Sequence, residues 1–358
     1  MTLSQLHFRG RAVGSGEPVE FWVDDGMIST EFVPGATTVT DGGWIMPGLV
    51  DAHNHVGIAP GLGVTIEQAR SFARLDVQAG ATLIREVGSP LDTHPLDNDP
   101  SGPQFIRAGK HIARPKRYLR DYGVDLDDVT DLPEEVARQA RAGDGWVKLV
   151  GDWIDRDAGD LAPLWPDDVL REAVSVAHDL GAKVTAHVFG AEALSGLVNA
   201  GIDCIEHGTG LDDNLIAIMA ERGIALVPTM IQVENFPNIA DGADRFPTYQ
   251  KHMRKLYADA PGTFAKAIEA GVAVYAGTDA GGFVEHGRIV DEIVALSEVG
   301  LGAARAIDAA CSSARNWLGA GALAAGDRAD VIVLRQNPVD YLATLRSPAT
   351  IVCGGTVV

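Results

Sequence analysis

One unit recurs along most of this 358-residue chain. A short, β-branched apolar run ends in a polar residue, a helix-like stretch follows, and glycine precedes the next run. WIMPGLVDAH (44–53) leads to a helical pattern from Thr65 to Gly80, and ATLIREVG (81–88) and PQFIRAG (103–109) come next. PEEVARQARAG (133–143) precedes WVKLV (146–150), and PDDVLREAVSVAHDLG (166–181) precedes AKVTAH (182–187). AEALSGLVNAG (191–201) leads to IDCIEH (202–207), and LDDNLIAIMAERG (211–223) to IALVPT (224–229). TFAKAIEAG (263–271) leads to VAVYAGTD (272–279). Acidic first turns and terminal glycines mark the helix starts and stops. Runs that are apolar throughout, rather than alternating, predict parallel strands covered on both faces. Eight such units predict an α/β chain folded as a (β/α)8 TIM barrel, with its active site at the C-terminal strand ends. A doubly wound sheet fits the alternation but seldom carries polar residues at so many strand ends.

The flanks read differently. Residues 1–43 form glycine-rich short strands, with an Asp-Gly turn inside FWVDDGMIST. Residues 322–358 read as hairpins with Gly and Pro turns. Neither flank is long enough to bury a core of its own. They are expected to pair into one small β-sandwich beside a barrel spanning 44–321. A composition of 46% hydrophobic and 22% charged residues supplies ample core. The net charge of −20 argues against nucleic acid and anionic membrane surfaces as partners. No signal-peptide h-region or membrane-length apolar run is visible. Cys204, Cys311 and Cys353 are widely spaced without a CxxC, as in a reducing compartment. A cytoplasmic protein is the expectation, with self-association left open.

The polar residues at the strand ends carry the chemistry. They are His53 and His55 (DAHNH), Lys148, His187 (TAH), His207 (EHG) and Asp279 (GTD). Residues i and i+2 of a strand share a face, so His53 and His55 can grip one ion together. Imidazole nitrogens and a carboxylate oxygen are the donors of a catalytic zinc-like ion. One strand-end histidine alone is more often structural, and HxH alone is a weak signal. The conjunction in barrel order predicts a metal centre. Lys148 sits inside an apolar run, where a desolvated ammonium needs a partner. A carboxylate such as Asp152 is one candidate, and a role at the metal is the other.

PGLVDAHNH, the lysine of the fourth strand, TAH, EHG and GTD, in this order, resemble the amidohydrolase superfamily over essentially the whole chain. ATLIREVG and LAAGDRADVIVLRQNP resemble its second strand and its returning sandwich segment. TDAGG (278–282) with His286–Gly287 resembles the imidazolonepropionase-like and Xaa-Pro or cationic-residue dipeptidase-like branch. The resemblance implies that His53, His55 and Asp279 hold one divalent ion and His187 and His207 a second, zinc foremost. It implies that Lys148 bridges them as an N6-carboxylysine, a carbamate formed from the neutral amine that desolvation favours. A hydroxide shared by two cations would then attack a carbonyl, with Asp279 passing its proton to the leaving nitrogen. It also implies a substrate contact for His286.

Substrate hints are thinner. Residues 110–120 hold Lys110, Arg114, Lys116, Arg117 and Arg120 without an acid. Arg114 and Arg117 are candidates to pair with a substrate carboxylate. The alternative is a solvated loop balanced by Asp121, Asp125, Asp127 and Asp128. The segment 228–261 is too long for a plain connector and offers Met230 as a pocket wall, or else anchors itself to the barrel through its aromatic residues. Trp153 and Trp165 would line an apolar subsite or pack structurally. The expected activity is binuclear hydrolysis of an amide-like C–N bond in a dipeptide, N-acyl amino acid or cyclic amide. A lactonase or phosphotriesterase-like hydrolase, a mononuclear deaminase and a non-catalytic binding protein are the alternatives.

Overall fold

In the computed structural model, residues 5–60 and 62–358 are described, with Leu62 and Gly63 by backbone alone. Residues 1–4, the start of the first predicted flank, lie outside the described residues. Strands from both flanks join one seven-stranded sheet. Thr37–Pro47 lies at its centre, parallel to Leu6–Ala12 on one side and antiparallel to Val331–Leu334 on the other. Phe8, Val23, Ile45, Val331 and Val352 form its apolar core. The eleven-residue central strand hydrogen-bonds both flanks into this sheet. The Asp-Gly turn lies between Pro18–Asp24 and Met27–Ser29, with Asp25 and Gly26 at φ 49° and 77°. Positive φ at both positions is what a two-residue hairpin turn needs.

The rest is parallel α/β. Leu49–Asn54, Ala81–Glu86 and Gln104–Arg107 form one ladder. His111–Ala113, Trp146–Val150, Lys183–Val188, Cys204–His207 and Ala225–Val227 belong to a second, parallel throughout. The expected third run, 103–109, holds Gln104–Arg107, and past Gly109, whose φ is 69°, His111–Ala113 forms a separate strand in the second ladder. The expected eighth strand, 272–279, is not continuous. Its backbone reaches Leu226 on one side and Ala52, His53 and His55, through Ala276, Asp279 and Ala280, on the other. A Cβ on Gly277 would lie 2.6 Å from the His53 Cβ, so the backbone runs too close for a regular ladder residue.

Alternation assigns the two faces. Val147, Leu149, Val184 and Ala186 pack outward among Leu170, Ala173, Val174 and Ala177 of the helix Asp167–Asp179. Trp146, Cys204, Val50, Leu83 and Val227 pack inward. Lys148, two residues on from Trp146, therefore points inward. The covering helices start and stop as their sequences specify. Thr65 and Gln68 form a capping box, and Asp212 accepts the Leu215 N–H at 2.8 Å. Gly201 and Gly223 close their helices in the left-handed region. The long segment after Thr229 folds into short helices and then Pro247–Glu269, which starts well before the predicted helical run at 263 and carries Pro261 within it. Phe236 meets Phe189 edge to face, and Tyr249 and Met253 join the outer core, so this segment is anchored. No helix among the described residues is long and apolar enough to cross a membrane.

Candidate metal centre

A bulge and three unusual backbone conformations aim the site. The register of Leu49–Asn54 against Ala81–Glu86 shifts between Asp51 and Asn54. Such a bulge re-aims side chains: it turns His53 and His55 inward while Asn54 leaves for the outer layer. His207, Thr229 and Asp279 all sit at positive φ, 64°, 48° and 59°, each at a strand's C-terminal end. Non-glycine residues seldom adopt that region, and such strain gathers at functional sites. In a regular strand Glu206 and His207 would face opposite ways. The left-handed turn at His207 lets both reach the interior.

The inward groups meet closely. Asp279 Oδ1 lies 3.0 Å from His53 Nε2 and 3.2 Å from His55 Nε2, and those two nitrogens are 3.2 Å apart. Adjacent donors of a tetrahedral ion with bonds of about 2.0–2.1 Å lie about 3.3 Å apart, so this triangle matches one ion's ligand edge. His55 Nδ1 donates to the Gly88 carbonyl at 2.9 Å, leaving its Nε2 as the lone pair turned to Asp279. His187 Nδ1 and His207 Nε2 face each other at 2.9 Å, and His207 Nδ1 meets Thr229 Oγ1 at 2.7 Å. His53, His207 and Asp279 offer atoms within 4.8 Å of one another, which could hold a metal ion. His53 Nδ1 and His187 Nε2 are buried without a hydrogen-bond partner. A crowd of neutral imidazoles around one carboxylate suits a divalent cation better than any apolar ligand.

The electrostatics agree. Burial lowers His53, His187 and His207, the last to about 3, so the rings are neutral donors. Burial raises Asp279, but the His53 and His55 rings packed against it outweigh that and hold the carboxyl well below its usual range.

Lys148 finds a partner the sequence reading missed. It bonds Glu206, not Asp152. Glu206 also accepts from Thr185 at 2.8 Å, lies 3.4 Å from the Arg85 guanidinium and 3.6 Å from His53 Nδ1. Burial opposes its ionisation, yet Lys148, His53 and Arg85 hold it ionised. Asp152 instead accepts the Phe189 and Gly190 N–H groups at 2.9 and 2.6 Å, at the start of the helix Ala191–Ala200. EHG contained the signal for Glu206, but strand alternation hid it.

Asp152 yields a pH test. Burial raises its carboxyl to about 7 from 3.8, against the pull of the two N–H donors. The folded state therefore binds this proton more tightly than the unfolded one. The resulting stability is full below the unfolded value and is lost as pH rises through about 7. Asp152→Asn cannot titrate, so its melting temperature should fall less than wild type's as pH rises from about 5 to 8. Parallel curves would refute the assignment.

The substrate candidates scatter. Trp153 stands at the cluster, its ring 5.4 Å from His187. Tyr118, which the sequence reading passed over, packs 4.9 Å from Trp153, 5.2 Å from His111 and 5.6 Å from His187. Burial raises its phenol well above the usual value, with the Asp279 and Glu206 charges adding to it. His111, given no role from sequence, is fully buried and stacks on His55 at 5.3 Å. Arg117 is engaged elsewhere, by Asp155 at 2.9 Å and the Trp153 and Ala162 carbonyls. Arg114 lines a surface cavity of about 680 Å³ with Asp127, Asp128 and Trp165, holding none of the clustered imidazoles. Met230 is half-buried, and its N–H goes to Glu292. His286 lies in the outer layer, stacked on Phe72, with Nδ1 2.9 Å from Asp76, which Asn54 also reaches. It ties the loop after Asp279 to the helix Ile66–Gln78.

The model for the amidohydrolase family matches residues 44–358. An uncharacterized protein of Mycobacterium tuberculosis is 55% identical over 98% of this chain and 95% of its own. The ochratoxinase of Aspergillus niger is 26% identical over 86% of this chain and 73% of its own. Among solved structures, a Xaa-Pro dipeptidase with methionine in its active site superposes with a TM-score of 0.82 at 23% identity, covering 99% of this chain and 100% of that one.

Proposed function

The chain belongs to the amidohydrolase family and is a hydrolase of C–N bonds, and on that premise we propose that it cleaves an amide in a small molecule at a binuclear centre. The observation that carries this is the meeting of four imidazoles and Asp279 above the inward-facing Lys148. We read the eight parallel positions as a closed barrel over 44–321, with the flanking sheet as its buttress.

His53, His55 and Asp279 would hold one divalent ion and His187 and His207 a second, with Lys148 as a carbamate between them. Such ions, when bound, polarise a carbonyl and make water nucleophilic near neutral pH. The chain's own groups do the rest. Asp279, ionised at any working pH, takes the proton of the attacking water and returns it to the leaving nitrogen. The Tyr118 hydroxyl hydrogen-bonds the carbonyl oxygen as charge develops on it. Tyr118, Trp153 and Phe189 wall the His187 side with aromatic surface, which favours an apolar group there and keeps water out. The names of the dipeptidase and ochratoxinase relatives support a dipeptide or N-acyl amino acid as the substrate class.

A hydrolysis screen over dipeptides, N-acyl amino acids, cyclic amides, lactones and phosphotriesters, with metal content measured alongside, tests the reading. Amide cleavage with about two divalent ions per chain is expected. Turnover confined to lactones or phosphotriesters would overturn it. In the same screen Tyr118→Phe should lower kcat by about 10²-fold with KM little changed; an unchanged kcat removes Tyr118 from the chemistry.

A further inference from the structure

We propose that Glu292 is a positioning residue for His207, acting through the backbone of Met230 and Ile231 and the hydroxyl of Thr229. Glu292 lies on the helix Ile289–Leu296 and is 0% exposed. Its two carboxylate oxygens accept the Met230 N–H at 2.9 Å and the Ile231 N–H at 3.0 Å. Burial pushes the carboxyl up to about 8 even with both donors pulling it down. An apolar side chain would fill the same space without that penalty, so the acid is there for what it holds.

It holds the start of the four-residue helix Met230–Val233. The residue just before is Thr229, at φ 48° and ψ 55° and fully buried. A β-branched residue in the left-handed region persists only where its surroundings fix it. That conformation delivers the Thr229 hydroxyl to His207 Nδ1 at 2.7 Å. With Oγ1 accepting the Nδ1 proton, His207 Nε2 is left as a lone pair. It faces His187 Nδ1 at 2.9 Å, which donates to it. A histidine's outer hydrogen bond selects which nitrogen is free to bind a cation. Without the two carboxyl oxygens, the helix start is released, Thr229 relaxes and the tautomer of His207 is no longer selected.

The inference rests on reading His207 as a ligand, and the tautomer measurement keeps the two apart. Imidazole ¹⁵N spectra of metal-free wild type should show His207 protonated on Nδ1. In Glu292→Gln, which offers one acceptor oxygen for two donors, the Nε2–H form should appear. Zinc affinity, measured by chelator competition, should drop about 10- to 100-fold, and kcat should fall while KM holds. Thr229→Val should reproduce these changes if Glu292→Gln does not fold, and Thr229→Ser should restore the wild-type spectrum. Variants that melt earlier yet keep the tautomer and the zinc affinity would overturn the proposal. Wild type that binds no zinc while the tautomer still responds would overturn the metal reading and leave the positioning role standing.

Discussion

Lys148→Ala should cut amide hydrolysis by at least about 10³-fold and destabilise the protein by about 3 kcal/mol. The two losses belong to two states of the side chain, the stability loss to the ammonium paired with Glu206 in the metal-free protein and the activity loss to the carbamate proposed for the loaded one. Glu206, fully buried, would lose its closest cation and keep Arg85 at 3.4 Å, which places the cost at the low end of a broken buried pair. The activity loss has a different origin if Lys148 bridges two ions as a carbamate. Small exogenous molecules separate the two. Formate or acetate, standing in for the bridging carboxylate, should return part of the activity. Methylammonium, standing in for the ammonium beside Glu206, should return stability and no turnover. Activity within tenfold of wild type, or rescue of turnover by the amine alone, would end the bridging assignment.

Asp279→Asn is expected to lose about 10²–10⁴-fold in kcat while melting close to wild type. Asparagine has the same shape and tolerates the left-handed conformation that Asp279 adopts at φ 59°. The Asp279 N–H donates to the His53 carbonyl at 2.8 Å, and that backbone contact survives the change. What disappears is the negative charge between His53 Nε2 and His55 Nε2. The variant therefore separates chemistry from folding more cleanly than any histidine replacement. Loss of metal together with turnover would assign Asp279 as ligand; retained metal with lost turnover would confine it to proton transfer. Full activity would remove it from both roles.

Much of this was legible in the sequence because strand ends are local. His53, His55, His187, His207 and Asp279 terminate short apolar runs, and the parallel architecture brings such ends to one place. Helix limits followed from Thr65, Asp212, Gly201 and Gly223, whose capping chemistry acts within a few residues. The illegible parts depend on tertiary geometry. Glu206 follows Cys204 inward by alternation, but it was hidden behind His207, which reaches the interior only by a left-handed turn that no periodicity announces. Tyr118 stands in a loop with no regular pattern, and Glu292 is one acid in an amphipathic helix until Met230 and Ile231 are seen against it. Arg117 looked like a ligand for substrate carboxylate because a run of basic residues does not reveal Asp155, 38 residues on in the hairpin of Asp152–Asp155 and Asp160–Pro163. The helix Pro247–Glu269 continues through Pro261 with Tyr249, Met253 and Phe264 buried, a continuity set by packing rather than by local propensity.

The pairing of distant segments also sets the order of events during synthesis. Ile45 is bonded to Val333, and His55 to Ala280. Neither the flanking sheet nor the pairing of the first parallel strand can be completed until those later residues have left the ribosome. At about 5–20 residues per second, Ile45 waits roughly 15–60 s for its partner. During that time Val50, Ala52 and their neighbours have apolar faces and open edges, a state prone to aggregate. High sequence separation between partners also slows the final closure. Expression of this chain should thus benefit from slower translation or from holdase chaperones, more than its stable folded form would suggest. Its first strands are the last to be satisfied.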